Sequence, residues 1–223
     1  MTGKHFNADM LKLYAVTDRA WTGEQTLEEQ VKAALEGGVT LVQLREKNLD
    51  DEKFLEEAIK IKAVTDTYQV PLIINDNIDV CLKSGAAGVH VGQSDMEAGC
   101  VRTLLGPDKI IGVTAKTEAQ AKIAYENGAD YIGCGAVFGS KTKLDTSAIS
   151  LEQLDAVCQA TPLPVVAIGG INAENIEQLA GHNMNGVAVV SAIFAQKDIT
   201  AATIDLMHKV EALNIKDKLN PDK

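Results

Sequence analysis

The chain is 223 residues long, with 46% hydrophobic residues, 23% charged residues and a formal net charge of −10. A chain of this length buries roughly three-quarters of its unfolded surface and folds without disulfide or metal staples. The acidic balance excludes the clustered cations that sequence-independent nucleic-acid binding needs, and no segment approaches the roughly 20 apolar residues of a membrane helix.

Met1 to Met10 lacks the apolar core of a signal peptide. The four cysteines stand singly, without C-x-x-C or Cys/His metal spacing. Reduced core or near-core thiols in a cytoplasmic protein are therefore expected.

The predicted elements alternate along the chain. Leu11–Val16 is an apolar, β-branched run, followed by the capping box Thr26-Leu27-Glu28-Glu29 and a helix closed at Gly37-Gly38. Thr40–Leu44 is the second run, with Asp50 capping the next helix. Leu72–Ile74 and Gly88–Val91 flank a helical stretch closed by Gly85. Ile110–Val113 precedes a second capping box, Thr117-Glu118-Ala119-Gln120, with Gly128 at the helix end. Tyr131–Cys134 and Val165–Ile168 follow. Asn172 is the expected cap of a helix ending near Gly181, and Gly186–Val190 is the last run.

These runs are apolar almost throughout rather than alternating, which means burial on both faces and hence parallel strands. The glycine junctions recur once per two strands and two helices, as in a repeated double βα unit. Eight strand–helix pairs in this length fit a closed (β/α)8 barrel of the TIM type. An open doubly wound sheet would carry a Gly-x-Gly-x-x-Gly turn after its first strand, and none is present. No linker or composition break divides the chain, so residues 1–223 are expected to form a single domain, with its core from about 12 to 213 and a polar tail after Asn214.

In such a barrel the chemistry lies at the carboxyl ends of the strands. Polar residues gather there, whereas the strand beginnings are mostly Gly, Pro or apolar. Gln43, Arg45 and Lys47 alternate along an extended segment and share one side of it. Two cations and an amide turned into a barrel call for an anionic ligand, or else an internal salt bridge to Asp76 or Glu46. Asp76 and Asp95 end neighbouring strands, where they fit either a hard cation such as Mg²⁺ or helix N-caps. Gly169-Gly170 and Val190-Ser191 occupy the loops after the seventh and eighth runs, the usual phosphate site of these barrels. The long loop Gly135 to Ser147 carries Ser140, Thr142 and Lys143 and has the length and polarity of a flap that closes over substrate. His90 reads as a satisfied strand histidine rather than a base. Gln43 and Thr114 are neutral groups suited to a heteroaromatic ring. Two anion pockets, a divalent cation and no covalent nucleophile together match displacement of diphosphate.

The ordered set Gln43-x-Arg45-x-Lys47, Asn75-Asp76, His90-Val91-Gly92-Gln93-x-Asp95, Gly112-Val113-Thr114, Ser140-x-Thr142-Lys143, Ile168-Gly169-Gly170-Ile171 and Val190-Ser191 resembles the thiamine phosphate synthase (thiamine-phosphate pyrophosphorylase) family from about Leu13 to about Phe194. That family joins 4-amino-2-methyl-5-hydroxymethylpyrimidine diphosphate to a thiazole phosphate by a dissociative route. The resemblance implies that Arg45, Lys47, Asn75 and Lys143 hold the diphosphate and that Asp76 and Asp95 bind Mg²⁺. It implies that Gln43 and Thr114 contact the pyrimidine, and that Ser140, Thr142, Gly170, Val190 and Ser191 hold the thiazole phosphate. Arg45, Lys47, Asn75, Thr114 and Lys143 would be the catalytic set. The chain departs from the family at Thr114 (commonly Ser), Lys116 (often His) and Gly139-Ser140 (more usually Pro-Thr). A thiazole tautomerase, a sugar-phosphate isomerase and a non-catalytic thiamine phosphate sensor are the competing readings. Small-molecule substrates are the expected partners, without nucleic acid or membrane, and the sequence leaves room for a homo-oligomer.

Overall fold

A computed structural model describes residues 6–92, 98–139 and 148–213. Eight parallel strands close on themselves in chain order: β1 (Leu13–Val16), β2 (Leu41–Leu44), β3 (Leu72–Asn75), β4 (Gly88–Val91), β5 (Ile110–Thr114), β6 (Tyr131–Gly135), β7 (Val165–Ile168) and β8 (Gly186–Val189). β8 pairs with β1 through Tyr14 and Ala188, which abolishes any free edge. The helices that follow the strands are α1 (Leu27–Glu36), α2 (Asp51–Thr67), α3 (Ile78–Ser84), α4 (Ala98–Leu105), α5 (Glu118–Glu126), α6 (Leu151–Gln159), α7 (Ser191–Phe194) and α8 (Ile199–Ala212). The expected barrel is the observed one. Among the described residues no helix is long and apolar enough to cross a membrane.

Local chemistry starts most helices where the sequence places them. Both capping boxes form: Glu29 N–H donates to Thr26 Oγ1 at 3.2 Å while Glu29 Oε2 accepts from Thr26 N–H at 2.8 Å, and Thr117 and Gln120 repeat the exchange. Asp50 accepts from Lys53 N–H at 2.9 Å. Two expectations need correction. Ala8–Leu11 is a short 3-10 turn capped by Asn7, so the first strand begins at Leu13 rather than Leu11. Asn172 caps no helix. Its Oδ1 accepts from Glu174 N–H at 2.9 Å within its own loop, and only the 3-10 turn Ile176–Leu179 follows. An Asx side chain bonded so close to itself competes with helix initiation.

Strand pleating sorts side chains into two cores. Leu13, Ala15, Val42, Leu44, Leu72 and Ile74 face the helices, whereas Leu11, Tyr14, Val16, Leu41, Ile73, Ile110, Tyr131, Val166 and Ala188 pack together as a second cluster that fills the barrel lumen. All four cysteines are free. Cys81, Cys134 and Cys158 are buried, but Cys100 is exposed, contrary to the expectation that all four are core or near-core thiols.

Near the entry to β8, Asp155 of α6 accepts from His182 Nδ1 at 2.8 Å and from Asn183 N–H at 3.1 Å. Burial disfavours the Asp155 charge, but these donors outweigh it and hold the carboxyl below the ordinary aspartate range. A depressed carboxyl pKa stabilises fully above the unfolded value, and that stability is lost as pH falls through the folded value. Asp155→Asn is therefore expected to lower the urea midpoint at about pH 6. The gap to the wild type should close as pH falls below 3.8. A gap unchanged by acidification would show that the ionised carboxylate is not what the site holds.

Candidate active site

The exits of β1, β2 and β3 form one charged rim. Thr17 N–H donates to Gln43 O at 2.9 Å and Thr17 Oγ1 accepts from Arg45 N–H at 3.0 Å, so the first two strands leave the barrel tied together. Arg45 Nη1 lies 3.6 Å from Asp18 Oδ2, and Lys47 Nζ lies 2.6 Å from Asp76 Oδ2. The two cations thus engage opposite neighbours, one the loop after β1 and the other the end of β3. Of the internal salt bridges considered above, the one from Lys47 to Asp76 is present. Glu46 instead meets Arg19 Nε at 2.7 Å, and Arg19 Nη2 also reaches Glu57 at 3.2 Å. Burial pushes the Glu46 carboxyl above its ordinary range, with Arg19 opposing.

Asn75 and Asp76 are set against β4. Asn75 Nδ2 donates to His90 O at 3.4 Å, and Asp76 N–H donates to the same carbonyl at 2.9 Å. Asp76 adopts a left-handed backbone conformation with φ of 63°, which Asp tolerates better than most residues and which is enriched at functional sites. The helix-cap alternative for Asp76 fails, because Asn77 caps α3 by accepting from Val80 N–H at 2.9 Å. Asp95 lies outside the described residues, as do Ser140, Thr142 and Lys143. Among the described residues no group of three His, Cys, Asp or Glu could hold a metal. The donor set still suits Mg²⁺, a hard cation that takes one or two carboxylates and completes its shell with water and substrate oxygens. Asp76 supplies such a carboxylate, partly exposed at the rim.

Below this rim the lumen holds a hydrogen-bonded row of polar side chains. Gln43, only 6% exposed, donates from Nε2 to Tyr14 Oη at 2.6 Å. Tyr14 Oη lies 2.9 Å from Tyr131 Oη, which lies 3.0 Å from His90 Nδ1, and His90 Nε2 lies 3.0 Å from Thr114 Oγ1. Both nitrogens of His90 are engaged, so it is the satisfied histidine anticipated rather than a base. Burial holds both phenols well above the ordinary tyrosine pKa, so both stay protonated. Sequence reasoning found Gln43 and Thr114 but missed Tyr14 and Tyr131. The available signal was parity: Tyr14 and Tyr131 occupy lumen-facing positions in their strands.

On the far side, Gly169 and Gly170 follow β7 with φ of 102° and 70°. A Cβ on Gly170 would collide with the Phe138 and Gly139 carbonyls, so this loop packs backbone to backbone on the one after β6. Asn175 Nδ2 donates to Gly170 O at 2.9 Å. Val190 and Ser191 stand at the start of α7, after β8. The structure therefore links Gln43 to Thr114 and Lys47 to Asp76, while Gly170 packs on the loop after β6, and Val190, beside Ser191 after β8, packs against the lumen cluster.

Comparison with known proteins bears on what this rim serves. A sequence-family profile described as thiamine monophosphate synthase matches residues 13–193. The chain is 52% identical over 195 residues to the thiamine-phosphate synthase of Ruminiclostridium cellulolyticum, covering 87% of this chain and 93% of that one. It is 50% identical over 203 residues to a probable thiamine biosynthetic bifunctional enzyme, chloroplastic, of Oryza sativa subsp. japonica, covering 89% of this chain and 37% of that longer protein. Among solved structures it resembles the thiamine phosphate pyrophosphorylase of Pyrococcus furiosus, with a TM-score of 0.84, 34% identity, and coverage of 92% of this chain and 98% of that one. With the profile spanning every described strand and half of the aligned residues identical to a synthase, the chain belongs to the thiamine monophosphate synthase family.

Proposed function

We propose that the chain is a transferase of thiamine biosynthesis. It joins 4-amino-2-methyl-5-hydroxymethylpyrimidine diphosphate to a thiazole phosphate and releases thiamine phosphate and diphosphate. The observation that carries this reading is that two kinds of chemistry meet at β2. Arg45, Lys47 and Asp76 stand at the exits of β2 and β3, and the hydrogen-bonded row from Gln43 to Thr114 begins two residues before Arg45 on β2.

In this reading Arg45, Lys47 and Asn75, with Lys143, hold the diphosphate. Arg offers two parallel donors to phosphate oxygens and Lys a movable point charge. The ion pairs to Asp18 and Asp76 keep both cations placed until a stronger anion competes for them. Gln43 and Thr114 hold the pyrimidine. Ser140, Thr142, Gly170, Val190 and Ser191 hold the thiazole phosphate, where open backbone N–H groups at a helix start favour an anion. Asp76 and Asp95 would hold Mg²⁺, which when bound neutralises charge on the departing diphosphate. The C–O bond to diphosphate breaks first, and the ring amino group stabilises the resulting methylene cation. The thiazole nitrogen then attacks, so the chain supplies charge stabilisation and positioning rather than a nucleophile.

The purified protein, given both substrates and Mg²⁺, is expected to form thiamine phosphate and diphosphate in equal amounts and to stop when EDTA is added. No diphosphate release under these conditions would remove the synthase reading. A thiazole tautomerase would turn over its thiazole substrate without any pyrimidine diphosphate, which separates the two in the same assay.

A further inference from the structure

Arg45 and Lys47 leave β2 with a carboxylate between them. Glu46 takes neither neighbour as its partner, and its side chain is only 4% exposed. An extended backbone turns successive side chains to opposite sides, so the residue between two rim cations faces away from the rim. There it meets Arg19, from the loop after β1, whose Nε lies 2.7 Å from Glu46 Oε1. Arg19 Nη2 reaches on to Glu57 Oε1 at 3.2 Å, and Glu57 lies on the buried face of α2 with Phe54, Ala58 and Ile61. One guanidinium thus joins the loop after β1, the exit of β2 and α2.

The loop that supplies Arg19 is itself held. Asp18 Oδ1 accepts from Ala20 N–H at 3.0 Å and caps the 3-10 turn Arg19–Trp21. Gln30 of α1, buried, donates from Nε2 to Trp21 O at 2.8 Å. Consecutive residues of this loop therefore meet consecutive residues of the β2 exit with opposite charges, Asp18 against Arg45 and Arg19 against Glu46. The two contacts differ in kind. Asp18 and Arg45 stand 3.6 Å apart at the rim, a loose pair that the proposed function has the diphosphate replace. Arg19 closes on two carboxylates shut away from water, and taking those charges out of water costs desolvation that the ion pairs must offset. Such a cluster is a poor way to add stability and a better way to enforce one geometry.

We infer that Arg19 and Glu46 are positioning residues for the diphosphate site. By tying the β2 exit to α2 from behind, they fix where Arg45 and Lys47 present their cations, without themselves touching the diphosphate. The inference rests on the assignment of Arg45 and Lys47 to the diphosphate in the proposed function. A displacement of about 1 Å in a charge clamp costs about 10²-fold in rate, which is the scale on which such support acts. The thiazole phosphate, assigned to the loops after β6, β7 and β8, draws on no residue that this cluster holds.

Two variants test it, each compared with the wild type as folded protein after its melting temperature is taken. Glu46→Gln keeps the shape of the side chain, removes the charge that Arg19 holds, and leaves Arg19 its pair with Glu57. It is expected to weaken calorimetric binding of inorganic diphosphate in the presence of Mg²⁺ by about 10- to 100-fold. It should lower kcat/KM for the pyrimidine diphosphate by a similar factor while KM for the thiazole phosphate stays within about twofold. Arg19→Met should reproduce this split between the two substrates; should it fail to fold, Glu46→Gln decides alone. A merely structural role would lower the melting temperature and leave diphosphate affinity and both kinetic constants at wild-type values. That result in Glu46→Gln, with thiamine phosphate still formed, overturns the inference and leaves the synthase reading intact, and so does an equal loss toward both substrates. A wild type that neither binds diphosphate nor forms thiamine phosphate overturns both.

Discussion

Arg45→Ala is expected to lower kcat/KM for the pyrimidine diphosphate by about 10²–10³-fold while moving the melting temperature by only a few degrees. The guanidinium stands at the exit of β2, and its one described ion pair, to Asp18, spans 3.6 Å, long enough to contribute little to stability. The backbone bond from Arg45 N–H to Thr17 Oγ1 survives the substitution, so the join between β1 and β2 remains. In the proposed reaction, what disappears is a bidentate cation facing oxygens whose charge grows as the C–O bond breaks. An interaction stronger in the transition state than in the ground state lowers kcat as well as raising KM. Arg45→Lys should restore only part of the loss, because an ammonium cannot reproduce the two parallel donors. A loss below tenfold in Arg45→Ala would remove Arg45 from the diphosphate site.

Arg102→Leu is expected to give the largest loss of stability, about 3–5 kcal/mol, read as a fall in melting temperature of roughly 10 °C or more. Arg102 lies on α4 with its side chain 22% exposed. Its Nε and Nη2 donate to Gly128 O at 3.2 and 2.9 Å, and its Nη1 donates to Gly106 O at 2.9 Å and Lys109 O at 2.6 Å. Nη2 also meets Asp130 Oδ2 at 2.8 Å, and that oxygen accepts from Ile111 N–H at 2.7 Å. One guanidinium thus joins the end of α4 to the entries of β5 and β6. Leucine fills much of the space, but it takes donors from three carbonyls and the countercharge from Asp130. These entries form the face opposite the charged rim, which serves stability in this architecture, so activity per folded molecule should be retained. A fall of less than about 1 kcal/mol in urea unfolding would mean the clamp contributes no more than an exposed ion pair.

Much of this protein was legible locally. The apolar runs, both capping boxes and the Asp50 cap each depend on residues within four or five positions of one another, and the eightfold alternation then leaves a closed parallel barrel as the economical arrangement. The charged rim was legible for a related reason. In a barrel of known strand direction, the residue after each run is assigned to the mouth by order alone, which placed Arg45, Lys47, Asp76 and Thr114.

The tertiary structure decided what the short range leaves open. Asp76 and Asn77 are adjacent candidates to cap α3, and only the left-handed turn at Asp76, closed on the His90 carbonyl, gives the cap to Asn77 and the carboxylate to Lys47. The pairing of Glu46 with Arg19 instead of Arg45 or Lys47 depends on how the loop after β1 folds across β2. Tyr14 and Tyr131 are separated by 117 positions, and strand parity turns each toward the lumen without saying that the two meet. Closure of the sheet, with β8 returning to β1, fixes the register that brings the two hydroxyls together across the lumen. Helix starts and strand burial follow from nearest-neighbour sterics and hydrophobic spacing, which the linear order carries. Contacts across the lumen follow from strand register and tilt, which exist only once the sheet has closed.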